Sequence, residues 1–239
     1  MLIHTKAIII SALKYGEADL IVKAYTLSDG LCTYMLKGVL KSKKGKFKAS
    51  MFQSLTQLEV VANHRGGGKL EYLKEAKVTG NYLSLHTHPV KLAIVLFLAE
   101  ILRNSIQEEE SNEPLFHYLE YSFQYLDTTD KIANFHLLFL LNLTRYLGFQ
   151  PDRGMEDLPV FNLLEGVFQE IPTNDYCIEG KNVDLLKSLL GTDFDALQHI
   201  KMNQASRKEF LKMLLLYYEL HIEGFRKPKS LSVLNEIFS

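Results

Sequence analysis

The chain has 239 residues, with 27 Lys+Arg against 28 Asp+Glu, 47% hydrophobic and 23% charged residues, the composition of an ordinary globular protein of one or two domains with enough apolar chain for a real core. Its two cysteines, Cys32 and Cys177, are too few and too far apart for a disulfide framework and fit a reducing compartment. The N-terminal segment lacks a charged-then-apolar leader, and the most apolar run, 92–102, is about half the ~20 residues of a bilayer span and contains Glu100, so a cytoplasmic protein without a membrane partner is expected.

In chain order, the first 80 residues alternate as strands do, with β-branched and aromatic residues separated by polar or Gly-containing turns. Strands are predicted near 3–14, 19–27, 31–39, 54–63 and 69–78. Their connections are "KYGEAD", "SDG", a long lysine-rich loop and "NHRGGG". Five short strands with no helix long enough for a parallel crossover predict an antiparallel barrel of the five-stranded OB type. After residue 80 the period becomes helical. Helices are expected at 89–107 and 114–128, each with a proline near its start, and at 130–149, behind an aspartate cap and ending at Gly148. Another is expected at 206–225, with Ser206 and Glu209 in capping-box spacing. The segment 150–182 is rich in Pro, Gly, Asn and Asp, with one short hairpin expected in "NLLEGVFQEI". The fold class is therefore α+β and multidomain: an OB barrel over 1–80, then a helical domain over 81–239 with a small irregular insert at 150–182.

Charge is distributed unevenly. Residues 1–80 hold 13 basic and 6 acidic residues, a net +7, whereas 81–239 hold 14 and 22, a net −8. That asymmetry points the N-terminal part at a polyanion, with nucleic acid the leading candidate. Most of it lies in "KGVLKSKKGKFKAS" (37–50), where Lys37, Lys41, Lys43, Lys44, Lys46 and Lys48 occur without one acidic residue. OB barrels hold single strands on the face of strands two and three, with basic groups on phosphates and flat rings on bases. On that pattern Lys23, Tyr25 and Tyr34 join the lysines. Phe47, between Lys46 and Lys48 with little core to enter, is a stacking ring or a lid over the barrel mouth, and Phe52 shares that reading. Arg65 adds a cation from the fourth loop. A solvated loop that touches nothing is the plainer alternative for the lysines, and core packing is the plainer one for Tyr25 and Tyr34.

Eight histidines contain one His-x-His, His86 and His88, but without nearby cysteine or carboxylate partners a capping or surface role at a helix start is expected. His117 and His136 lie in apolar helical stretches and are expected to be packed. No Cys-x-x-Cys, phosphate-binding glycine loop, nucleophile elbow or HExxH is present, so no catalytic residue, metal or cofactor is assigned and a binding protein is favoured over an enzyme.

The stretch "ALKYGEADLIVKAYTLSDGLCTYMLKGVLKSKKGK" (12–46), with "YLGFQPD" (146–152) and the ending "FRKPKSLSVL" (225–234), resembles the RecO family of bacterial recombination mediators. The shared pattern is a Gly-Glu-x-Asp turn, a strand ending in Thr, an x-x-Gly turn and a strand ending in Lys-Gly before a basic loop, and it extends over nearly the whole chain. The resemblance implies a DNA-binding, strand-annealing mediator, cytoplasmic and nucleoid-associated, that helps load recombinase onto coated strands. It also implies partners: single- and double-stranded DNA, RecR, and the acidic, apolar C-terminal tail of single-strand-binding protein. For that tail Arg226, Lys227 and Lys229 are candidate rim residues on the helical domain. Many members carry a four-cysteine zinc module after the "LGF-x-P" turn. Here 150–182 hold only Cys177 and no histidine, and one thiolate cannot hold a tetrahedral zinc, so a metal-free remnant shaped by packing is expected. Rival readings are an RNA-binding OB protein of translation or RNA processing and an unrecognised nuclease.

Overall fold

The structure, a computed structural model, describes residues 2–41, 45–64, 69–107 and 110–238. Five strands, β1 (Leu2–Tyr15), β2 (Asp19–Thr26), β3 (Gly30–Leu36), β4 (Gln57–Asn63) and β5 (Leu70–Val78), close into a barrel in the order β1-β2-β3-β5-β4. All pairs are antiparallel except β3 with β5, which run parallel. This is the expected OB barrel, with one correction to the antiparallel expectation: a closed ring of five strands cannot alternate direction throughout, and the parallel pair falls at β3–β5. β1 can pair with both β2 and β4 because it is long and its register shifts between Ile9 and Ser11, which bends it around the closure. The tight β1–β2 turn needs a left-handed residue, and Gly16 supplies it at φ 58°.

Ala7, Ile9, Val22, Ala24, Tyr34, Leu36, Leu58, Val60 and Ala62 point inward to form one apolar core. Period-two alternation puts Ile8, Ile10 and Tyr25 on the outside, yet they are buried too. Two helices account for that. α1 (Pro89–Ser105) lies against β1, and α2 (Glu113–Thr128) is tied to the barrel by Lys6 Nζ to Glu120 at 2.8 Å, by Gln57 Nε2 donating to the Glu120 carbonyl at 3.1 Å, and by Phe116 stacked on Tyr25 at 6.4 Å. The entry to α1 is fixed by Asp127, whose carboxylate accepts from the backbone N–H groups of Leu83, Ser84 and Leu85 at 2.9, 2.8 and 2.7 Å. Buried Lys91 donates to the Ser84 hydroxyl and to the Asp127 carbonyl. Burial alone would raise the Asp127 pKa, but these donors outweigh it and hold the carboxyl below its ordinary value. The compact units therefore part at Thr128 and Thr129, although the change from strand to helical periodicity falls after Val78.

In the second unit, Thr129–Ser239, α3 (Phe135–Tyr146) packs with α5 (Gln204–His221). α3 begins at Phe135, five residues after the expected aspartate cap, because 130–134 form an irregular turn with Asn134 as N-cap. α5 likewise starts before the expected box: Asn203 Oδ1 accepts from the Ser206 N–H at 2.8 Å and from its hydroxyl at 2.7 Å, so Ser206 stands inside the helix as a partner of the cap. The insert forms a three-stranded sheet, β6 (Val160–Asn162), β7 (Val167–Gln169) and β8 (Cys177–Glu179), in the order β7-β6-β8. The expected hairpin is its β6–β7 part. At its turn Gly166 sits at φ 70° under the Tyr217 hydroxyl, where an added Cβ would approach to 2.8 Å. Two helices not anticipated, α4 (Lys181–Leu189) and α6 (Leu231–Ile237), complete the unit.

Candidate nucleic-acid interface

α1 and α2 cover the barrel's outer surface at β1 and at the end of β2, while the outer surface of β5 carries exposed side chains and the outward positions of β3 are half-buried or, at Met35, buried. The register places Ile21, Met35 and Tyr72 in one row and Lys23, Thr33 and Leu70 in the next. Lys23 is exposed, and so is Tyr72, which shows 49% of its surface. Where β3 leaves the barrel, Lys37 extends its ammonium over the Tyr72 ring, 5.6 Å from the centroid.

The lysine run is anchored at both flanks. On one side, Gly38 N–H donates to Asp19 Oδ1 at the start of β2 at 2.8 Å, and on the β1–β2 turn Leu40 N–H donates to the Ala18 carbonyl at 2.9 Å and Lys41 Nζ meets Glu17 at 2.7 Å. On the other, Lys46 Nζ reaches Glu75 of β5 at 3.5 Å, and Phe47 packs edge-on against Phe52 at 6.0 Å. Phe52 lies in a single 3-10 turn, Ala49–Phe52, and is buried in the barrel core. The loop returns through Leu55, buried at φ 64°, a backbone cost of about 1–2 kcal/mol for a residue with a Cβ, offset by its burial and by its N–H bond to the Ile9 carbonyl. Lys37, Lys41, Lys46 and Lys48 are all exposed. Lys43, Lys44 and Arg65, also expected at this site, lie outside the described residues.

Four aromatic expectations are corrected. Tyr25 is 1% exposed, because α2 covers its side of the barrel and the Asn112 carbonyl accepts from its hydroxyl at 3.4 Å. Tyr34 is fully buried, because its position on β3 points inward. Its hydroxyl is hydrogen-bonded with His64 Nε2 at 2.7 Å, and His64 Nδ1 with Asp29 Oδ2 at 2.7 Å, which ties β3 and the β2–β3 turn to the end of β4. Burial raises the Tyr34 pKa and keeps the phenol protonated. Neither ring can meet a base. Phe47 is half-buried on the core, and Phe52 belongs to that core. An exposed ring that alternation alone did not single out is Tyr72. Its signal was present in "LEYLKEAK", an aromatic among basic residues on the strand beside β3.

The helical unit holds a cavity of about 250 Å³ lined by His136, Arg207, Lys208, Leu211, Leu234 and Phe238 among others. Arg207 lies over the Phe238 ring and His136 stacks on it, at 5.6 and 5.3 Å. Burial and the Arg207 charge push the His136 pKa down to about 3, so it is neutral. Arg226, Lys227 and Lys229 do not line this cavity, and Lys227 is paired with Glu219 at 2.9 Å. His88 caps α1 as expected, and His86 Nε2 donates to the Ser54 carbonyl at 2.8 Å. His117, expected in a packed position, is instead exposed between Glu113 and Glu120, because it falls on the outward face of α2. In the insert the Cys177 thiol accepts from Gln169 Nε2 and Thr173 N–H, and no group of three or more metal-ligating side chains occurs among the described residues. No described helix is long and apolar enough to cross a membrane.

Barrel, exposed lysine loop and helical second unit together define an OB-fold protein with an appended α-helical domain. Residues 1–82 match the family model for the N-terminal part of recombination protein O, and 86–154 with 158–231 match the model for its C-terminal part. Over the full length of both chains the sequence is 88% identical to DNA repair protein RecO of Christiangramia forsetii, 45% to that of Flavobacterium psychrophilum and 36% to that of Bacteroides fragilis. The chain belongs to the RecO family of DNA repair proteins.

Proposed function

We propose that this chain is a non-enzymatic DNA-binding mediator that anneals strands and helps load recombinase onto strands coated by single-strand-binding protein. On this reading the site lies in residues 1–80, and the protein works in the cytoplasm at the nucleoid. The observation that carries it is the set of exposed lysines, Lys37, Lys41, Lys46 and Lys48, of which Lys37 and Lys46 reach Tyr72 and Glu75 on the exposed side of β5. The pairs with Glu17 and Glu75 do not block it. Exposed pairs of this kind are worth at most about 1 kcal/mol, so a phosphate can displace either carboxylate. Two strands that repel each other can then be held together, because neutralised phosphates no longer keep them apart. RecR is proposed as a partner from the family resemblance. The acidic, apolar tail of single-strand-binding protein matches the chemistry of the cavity at Arg207 and Lys208 better than it matches Arg226, Lys227 and Lys229.

A salt titration tests the site. Changing Lys41, Lys43, Lys44 and Lys46 to alanine should flatten the slope of log K against log salt for single-stranded DNA by roughly 3, from about 0.7 per phosphate. Affinity should fall alike for all sequences, because phosphate contacts do not read bases, and annealing should fall with it. An unchanged slope in a variant with parental circular dichroism would mean that the loop is merely solvated. Matched DNA and RNA oligonucleotides in competition separate a DNA site from an RNA site.

A further inference from the structure

Four of the tyrosines and phenylalanines expected at the DNA site are withdrawn into packing: Tyr25 under α2, Tyr34 and Phe52 in the core, and Phe47 against Phe52. Phosphate contacts from lysines alone would serve duplex and single strand alike. Tyr72 differs from these four rings, as does Tyr15 at the end of β1, and of the two exposed rings Tyr72 is the one in register with β3 and under the Lys37 ammonium. It stands half-exposed on β5, in register with Met35 near the end of β3 and with Asn63 at the end of β4, and the Lys37 ammonium already lies over its ring, 5.6 Å from the centroid. Lys46, paired with Glu75 three residues along the same strand, and Lys23, in the neighbouring row, put cations to either side of it. An exposed flat ring between cations spaced along a strand face offers a base-stacking platform beside phosphate sites.

We infer that Tyr72 is a base-stacking platform that makes this barrel face prefer unpaired over paired strands, with Lys37 holding the adjoining phosphate. The inference rests on the proposed DNA-binding reading and adds to it the residue that discriminates between the two forms. In a duplex the bases are already stacked on one another and their faces are closed to Tyr72. In a single strand one base can leave its neighbours and lie on the ring, and every base has a π-face, so no sequence preference results.

The chain contains no tryptophan, so Tyr72→Trp introduces one tryptophan at the site, whose emission can be excited apart from that of the tyrosines. With the full-length protein, saturating oligo-dT should quench its emission, while a duplex at equal phosphate saturation should leave it nearly unchanged. In parallel, Tyr72→Leu, which keeps apolar cover beside Met35, should weaken oligo-dT binding roughly 5- to 100-fold with an unaltered salt slope. The same variant should lose less than about twofold on an abasic strand and on duplex, and Tyr72→Phe should bind as the parent does. The inference is overturned by an unquenched Tyr72→Trp at saturation, or by a Tyr72→Leu loss that is equal on oligo-dT, abasic strand and duplex. If Tyr72→Leu binds normally while the four-lysine variant does not, the inference falls and the phosphate site stands. If both bind normally, the DNA-binding reading falls with it.

Discussion

Tyr25 and Tyr72 stand on the outside of the same barrel and have opposite fates. Around Tyr25, α1 and α2 bury the outer residues of β1, and the contact is completed by Phe116 and by the polar ties of Glu120 to Lys6 and Gln57. Around Tyr72 the surface is left to solvent and lysines; the loop's flanks are tied down by two hydrogen bonds from backbone N–H groups and by Phe47 on Phe52, and the lysine ammoniums themselves are held by exposed ion pairs and a cation–π contact. The first side is held by apolar burial, which salt does not screen. On the second, the ammoniums are held by charges that a polyanion can take over. The barrel thus gives stability on one flank and exchangeable contacts on the other.

The sharpest way to break that contrast is to remove each tyrosine. Tyr25→Ala should cost about 3–5 kcal/mol, the usual penalty for emptying a buried aromatic site, read as a lower urea midpoint. Tyr25→Leu, which refills much of the space, should bind single-stranded DNA like the parent; a strong loss of binding without loss of stability would show that the covered side touches DNA after all. Next in size is Asp127→Asn, which leaves backbone donors at the start of α1 poorly satisfied and should cost roughly 2–3 kcal/mol at neutral pH. Because the folded-state carboxyl pKa lies below the unfolded value, that contribution is present above about pH 4 and is lost as pH falls through the folded pKa. Urea midpoints of parent and variant should therefore converge below pH 4, and a gap that persists there would assign the stability to something other than the ionised carboxylate. The smallest effect is on the open side. Glu17→Gln with Glu75→Gln should change stability by no more than about 1 kcal/mol and tighten single-strand binding roughly two- to fivefold at low salt, a gain that disappears as salt screens it. Weaker binding would mean that these carboxylates hold the loop in its working position.

Periodicity alone carried the barrel a long way. β-Branched alternation in "KAIIISAL" and "LIVKAYT" placed β1 and β2 within a residue or so of their observed bounds, because a strand's face pattern is local. The start of α1 was equally legible, since Pro89 and the histidine cap act within one turn. α4 and α6, of 9 and 7 residues, were not, because so few turns give no period to read and their helicity depends on packing. The insert is a related case. Its missing cysteines were plain in the sequence, while its third strand, β8, pairs with β6 fifteen residues away in a register that no local signal sets.

The sequence by itself determined where the cations are, that the first 80 residues alternate as strands, and which glycines must turn the chain. Charge, alternation and turn chemistry are properties of neighbouring residues. Only the tertiary structure decided which outward-facing rings remain outward. Tyr25 and Tyr72 are equally aromatic and equally outward in their strands, and the difference between them is whether a helix from a distant part of the chain lies on top. That choice depends on where α2 can bury Phe116 while pairing Glu120 with Lys6, a free energy shared by residues about 90 to 115 positions apart. Tertiary closure likewise turned Tyr34 inward to His64 and Asp29, and brought Lys37 of the loop onto Tyr72 of β5 through a parallel pairing of strands that are not neighbours in sequence.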